Sequence, residues 1–145
     1  MLLCGVAGTV LSACSSNTPA SPVQPTPALV CFSGVWNGPA NDSSGSGQVM
    51  WLLSQERDAF DGTLAMVDGV TGMEAIGTVS GTVTGAAVHF AMRLPVGAFG
   101  RPLQGCATTV EGDGTLSAQN FTGTYAGSNT CTGRIDAGRI SLSPR

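Results

Sequence analysis

The chain has no lysine and a single histidine among its 145 residues, and charged side chains make up only 10% of it. Phosphate backbones are held by clustered Lys and Arg, whereas the six basic residues here are scattered arginines and the net charge is −3, so no nucleic-acid partner is expected. The lone His89 leaves a Ser or Cys nucleophile without a base unless it faces a pocket, and strand parity turns it outward. The five cysteines show no Cys-x-x-Cys spacing and one histidine cannot complete a zinc site, so neither a metal nor a cofactor is expected. No glycine-rich stretch precedes a helical pattern, which removes a phosphate loop. Glu111 and Asp113 stand two apart on one strand and therefore share a face, but that face is the outer one; solvation, not glycosidase-type catalysis, is their expected role. These absences lead to the expectation that the protein is not an enzyme.

What the chain does have is abundant glycine, threonine and valine, with apolar and polar residues alternating in its hairpins. Twenty-one glycines and no long helical period place a single domain in the all-β class. The stretch Gly77 to Leu94 is the clearest case. With Gly85-Ala86 as a two-residue turn, Val83 faces Val88, Gly81 faces Phe90, Val79 faces Met92 and Gly77 faces Leu94, all on one side. Thr78, Ser80, Thr82, Thr84, His89, Ala91 and Arg93 take the other side, as in a sheet with one wet face.

Two further hairpins follow the same rule. A four-residue loop at Gln55 to Asp58 pairs Leu53 with Phe60, Trp51 with Gly62, Val49 with Leu64 and Gly47 with Met66, leaving Met50 and Leu52 outside. A loop at Ser117 to Asn120 pairs Leu116 with Phe121, Gly114 with Gly123, Gly112 with Tyr125 and Val110 with Gly127. That register brings Cys106 opposite Cys131 at a separation a disulfide tolerates, and this bridge is predicted. A pair of buried thiols, or a bridge from Cys31, is the alternative pairing. A first strand at Ser33 to Gly38 and a last at Gly138 to Ser143 complete about eight strands. Pro39 to Gly47 and Pro95 to Gly105 read as loops.

Eight antiparallel strands in up-and-down order close a barrel, which removes exposed edges and gives every apolar face a common interior; an open or two-layer sandwich is the alternative. Three hairpins set an aromatic opposite glycine, at Trp51/Gly62, Phe90/Gly81 and Tyr125/Gly112. The interior carries no charge, and Trp51, Phe60, Val83, Phe90, Met92 and Tyr125 are the candidate ligand-binding residues for a small apolar molecule. The competing expectation is that these side chains simply fill the barrel.

Leu11-Ser12-Ala13-Cys14, after the apolar run from Leu2, resembles the lipobox of bacterial lipoproteins; an ordinary secretory signal is the other reading of the run. The resemblance implies a signal peptide over 1–13, Cys14 as the lipidated residue, and a Pro/Ser-rich, disordered linker over 14–29 before a barrel domain over 30–145. At polyproline rise the linker reaches up to about 40 Å. Ser15 after the cysteine resembles the sorting signal for the outer membrane of a diderm cell, which implies a lipid-anchored protein of the cell envelope facing the periplasm or the surface. Gly34-Val35-Trp36-Asn37, with Phe60-Asp-Gly-Thr63, is similar to the first strand of the calycin barrels, the lipocalins and avidins, in which the Trp closes the barrel floor under an arginine; Arg139 or Arg145 is the implied partner. The lipobox beside the Gly-x-Trp-Asn start also resembles small bacterial barrel inhibitors of secreted proteases. The expected function is therefore binding without catalysis: a small apolar ligand or a protein partner, with protease inhibition and a structural envelope role as alternatives.

Overall fold

The structure, a computed structural model, describes residues 31–145. The lipobox with Cys14, the signal peptide and the whole of the linker lie outside the described residues.

Eight strands follow one another in chain order: β1 (Gly34–Asp42), β2 (Gly45–Glu56), β3 (Ala59–Asp68), β4 (Glu74–Thr84), β5 (Ala87–Leu94), β6 (Thr108–Leu116), β7 (Phe121–Asn129) and β8 (Gly133–Pro144). Each pairs antiparallel with the next, and β8 pairs with β1 to close an up-and-down barrel. Closure leaves no strand edge unpaired. Every strand edge is satisfied within 34–144 and the core is drawn from the described residues, so the barrel has the means to fold on its own.

The β4–β5 hairpin forms as expected: Val83 pairs Val88, Gly81 pairs Phe90 and Val79 pairs Met92, and Gly85 takes φ 61° in the turn, a conformation glycine adopts without strain. The β6–β7 hairpin also matches, from Leu116–Phe121 through Val110–Gly127. Beyond its end Cys106 and Cys131 are joined, with Cα atoms 5.5 Å apart. Cys31 is exposed at the start of the described chain.

Three details differ from the sequence reading. The β2–β3 turn has two residues, Arg57-Asp58, rather than four, so Leu53 pairs Gly62, Trp51 pairs Leu64 and Val49 pairs Met66. A slip of two residues leaves every side chain on its original face, so alternation alone does not distinguish the registers. Arg57 sits at φ 58°, an uncommon place for arginine, which is why no turn signal marked it. Pro39 to Gly47 is not a loop: β1 runs through Pro39 to Asp42, turns at Ser43-Ser44 and returns as β2. Pro39 lacks an N–H and falls between the Asn37–Ser143 and Ala40–Ile140 pairs of the β1–β8 ladder. Finally, β8 begins at Gly133 rather than Gly138. A bulge at Asp136-Ala137, with Ala137 at φ 55°, shifts the inward positions from Gly138, Ile140 and Leu142 to Ile135 and breaks the period-two signal.

The interior divides into two ends. At the end holding the β2–β3, β4–β5 and β6–β7 turns, the rings of Phe32, Trp36, Trp51, Phe60, Phe90 and Phe121 pack together. Phe32, just before β1, is the plug: its centroid lies 4.9 Å from Trp36 and 5.0 Å from Phe60, edge to face in both cases. Phe90 meets Trp51 at 5.4 Å and Phe121 at 5.6 Å. Such offset and T-shaped pairs add about 0.5–1.5 kcal/mol each beyond area burial.

The rings are seated on glycines, but not within the hairpins in which they were expected. Trp51 faces Leu64 rather than Gly62. Phe90 and Tyr125 pair with Gly81 and Gly112 as read, yet each ring leans the other way. A Cβ on Gly112 would strike Phe90, one on Gly138 would strike Tyr125, and one on Gly81 would strike Phe60. Glycine on the following strand gives each ring its room.

Candidate cavity at the open end

Toward the other end of the barrel the inward side chains shrink. Ala40 on β1, Val49 on β2, Leu64 and Met66 on β3, Ala75 on β4, Met92 and Leu94 on β5, Val110 on β6 and Ile135 on β8 line a cavity of about 250 Å³. An eight-stranded barrel is just wide enough for its own side chains to fill, so alanine and valine in place of rings leave space. The cavity exceeds the roughly 150 Å³ apolar cavity that holds benzene in an engineered core, and falls just under the usual range for drug-sized ligands.

A polar collar surrounds the mouth. Tyr125 on β7 donates its hydroxyl to Asp42 Oδ2 at 2.9 Å. Burial, then the hydrogen bond to Asp42 and its negative charge, push the Tyr125 phenol well above its ordinary range, so it stays a neutral donor. Asp42 Oδ1 accepts from the Ser44 backbone and hydroxyl across the β1–β2 turn. Asp68, at the end of β3, caps the turn into β4: its Oδ1 accepts from the backbone N–H groups of Thr71 at 2.6 Å and Val70 at 3.0 Å and from the Thr71 hydroxyl at 2.7 Å. The Thr71 backbone bond, then its hydroxyl and the Val70 N–H, hold the Asp68 carboxyl below the usual carboxylate range. Asn129 is spent internally. Its amide donates to Thr108 Oγ1 at 2.8 Å, and its oxygen accepts from the N–H groups of Cys131 and Thr132.

One long loop, 95–107, closes part of the mouth. Phe99 bridges to Ala75 at the start of β4, the Ile76 N–H donates to the Ala98 carbonyl, and Phe99 and Leu103 line the cavity. The Cys106–Cys131 bridge ties the end of this loop to the β7–β8 turn, and Ala107 and Thr130 bond reciprocally beside it. The disulfide thus braces the rim of the cavity.

Of the six ligand-binding residues read from the sequence, Met92 and Tyr125 line this cavity. Trp51, Phe60, Val83 and Phe90 do not: they belong to the packed end, each at least 96% buried among other side chains. The expectation of a filled barrel holds for one half of the molecule and that of a hollow one for the other. Sequence reasoning missed Asp42, Asp68, Asn129 and Phe99. Asp42 had a usable signal, because Trp36, Ala40 and Asp42 fall on one alternation once β1 is carried past Pro39.

Comparison with known proteins returns no match: no family model, no curated protein and no solved structure. The cavity has to be interpreted from its own chemistry. On the outer wall His89 Nδ1 lies 2.9 Å from Asp113 Oδ1, both side chains exposed. His89 therefore does have a carboxylate partner, on the face where parity put it and away from the cavity. Among the described residues no group of three or more His, Cys, Asp or Glu side chains is placed to hold a metal ion. Trp36 packs against Phe32 at the floor, and the arginine nearest in sequence to that end, Arg145, bonds there through its backbone N–H to the Val35 carbonyl. Met50, Leu52 and Ile76 stand exposed on the outside of β2 and β4, as parity indicated for Met50 and Leu52.

Proposed function

We propose that this protein is a non-enzymatic carrier or sensor that takes a small apolar ligand into the open end of its barrel. The observation that carries the reading is the cavity of about 250 Å³, walled by Ala, Val, Leu, Met and Ile and opening between loops, in a barrel whose other half is solid. Apolar surface that remains unfilled in a folded core is unfavourable unless something occupies it, and an apolar guest gains roughly 0.8 kcal/mol per buried CH₂.

The lipobox resemblance adds an address, and the fold accords with it. The chain enters β1 at the packed end, beside Phe32, so a lipid anchor at Cys14 would tether the barrel by its floor and leave the mouth facing away from the membrane. We therefore read the protein as a lipoprotein of the bacterial cell envelope that presents its cavity to the surrounding compartment.

The test is calorimetric titration of residues 29–145, exported so that the disulfide forms, with n-nonanol as probe. Nine carbons at about 0.8 kcal/mol each set a limit near about 5 μM for the dissociation constant. Saturable one-to-one binding that is lost in Val110→Phe and in Ala40→Leu, both of which fill the cavity, supports the reading. Absence of binding, or binding unchanged in both folded variants, overturns it.

A further inference from the structure

The carrier reading names no ligand beyond apolar, but the charges around the cavity narrow it. Twenty residues line the space, and the charged ones among them are Asp42 and Asp68, with no basic side chain. Neither carboxylate forms an ion pair among the described residues, where the two ion pairs are His89–Asp113 and Arg134–Asp136. The basic residues near this end do not reach the cavity: Arg134 holds Asp136 at 2.7 Å, Arg101 is exposed on the 95–107 loop, and Arg93 on β5 and Arg139 opposite Asn41 on β8 are exposed on the outer face, none of the four lining the space.

The two carboxylates flank the first residues of β2. Asp42 pairs with Gly45 on one side of it, and Asp68 pairs with Gly47 on the other. Each is held in place by neutral donors that leave acceptor capacity over. Asp68 directs all three of its protein hydrogen bonds to Oδ1, and Asp42 Oδ2 takes only the Tyr125 hydroxyl. A carboxylate oxygen accepts about two hydrogen bonds, so Asp68 Oδ2 and the second site on Asp42 Oδ2 are open to a donor from the cavity. Glycines at 45 and 47 put no side chain between them.

Two negative charges at the rim of a low-dielectric pocket focus a field along it, and without a basic side chain nothing in the lining compensates them. A carboxylate-bearing guest such as a fatty acid would meet like charge here; a guest with an ammonium would meet opposite charge and donate hydrogen bonds to fixed acceptors. We propose that the cavity selects amphipathic amines, with the apolar body buried between Val49, Met92 and Val110 and a protonated amine held at the mouth by Asp42 and Asp68. This rests on the carrier reading and goes one step further, to the chemistry of the head group. Glycine at 45 keeps the approach to Asp68 open, since a Cβ there would stand 3.8 Å from its Oδ2.

The experiment compares n-nonylammonium, n-nonanol and nonanoate, three probes with the same body, at pH 7 and low ionic strength on residues 29–145. The amine is expected to bind at least tenfold more tightly than the alcohol and the carboxylate to bind weakest, with the amine's advantage shrinking in added salt. Asp42→Asn with Asp68→Asn keeps the Oδ1 acceptors of both turns. It should erase the preference among head groups, so that the amine and the carboxylate bind within about twofold of the alcohol in that same variant. Equal binding of all three probes overturns the head-group assignment and leaves the carrier reading standing. Preference for the carboxylate overturns it as well. If none of the three binds, both the assignment and the carrier reading fail.

Discussion

Phe90 and Met92 stand two residues apart on β5 and point into the same barrel, yet they belong to different environments. Phe90 is fully enclosed by Trp51, Phe121 and the glycine at 112, whereas Met92 borders the cavity with one side against open space. The same contrast holds for whole ends. The floor is made of six rings, of which Phe60, Phe90 and Phe121 are seated on glycines, and the mouth of small aliphatic side chains under a polar collar. Close packing and open space thereby occupy opposite ends of one closed sheet. Both indole N–H groups at the floor, on Trp36 and Trp51, find no protein acceptor among the described residues. Ring packing there must outweigh a desolvation cost of about 1–3 kcal/mol apiece.

The largest effect should come from the floor. Phe90→Ala is expected to cost about 3–5 kcal/mol in chemical denaturation, because the close-packed rings around it cannot collapse into the void. Met92→Ala, one step along the same face, should cost about 2 kcal/mol, the low end for such truncations, since part of its surroundings is already empty. Equal losses would mean that the cavity closes up in solution and that the two ends do not differ.

Next in size is the brace at the mouth. Replacing both Cys106 and Cys131 by alanine removes a bridge spanning 25 positions of chain, worth roughly 3 kcal/mol in the chain-entropy account. Hydrogen exchange should then quicken in 95–107 and 130–132 while the centres of β2 and β5 keep their protection. Faster exchange at the floor first would place the weak point at the wrong end.

The smallest effect is spectroscopic. Tyr125 is the only tyrosine in the chain, so ultraviolet titration of the folded protein reports this phenol alone. Its midpoint should lie above the ordinary value of about 10 and drop toward it in Asp42→Asn, which removes the neighbouring charge. Because the folded state holds this proton more tightly than the unfolded one, the unfolded state ionises first as pH climbs past about 10. Tyr125 therefore contributes fully to stability below that pH, and its contribution declines above it. A Tyr125→Phe variant should lack that part of the alkaline loss; an identical alkaline profile would place the phenol in water rather than on Asp42.

Much of this fold was legible because a period of two leaves an unambiguous record. Val79, Val83, Val88 and Met92 declare their face and Gly85 declares its turn, while the separate register of Leu116 against Phe121 carries Cys106 to Cys131. Legibility failed where local chemistry contradicted the strand pattern. Pro39, Asn41 and Asp42 look like loop residues but are held in β1 by partners on β2 and β8. Arg57 gives no turn signal, and the bulge at Ala137 breaks the alternation on which β8 depended. The candidate site suffered from the same gap. Asp42 was hidden in the misread segment, and Asp68 gains its place from a turn whose hydrogen bonds are invisible in a sequence.

The sequence by itself determined the all-β class, the inward and outward face of nearly every strand, two of the hairpin registers and the disulfide, all of which follow from alternation and local turn chemistry. Tertiary structure alone decided which half of the interior is solid and which is open. That depends on the stagger between strands around the closed sheet, which sets the level each inward residue occupies along the barrel and which residues it meets there. Phe32, Phe60 and Phe121 are far apart in the chain and meet at one level, while Ala40, Ala75 and Val110 meet around the cavity, a coincidence of heights that no single hairpin contains.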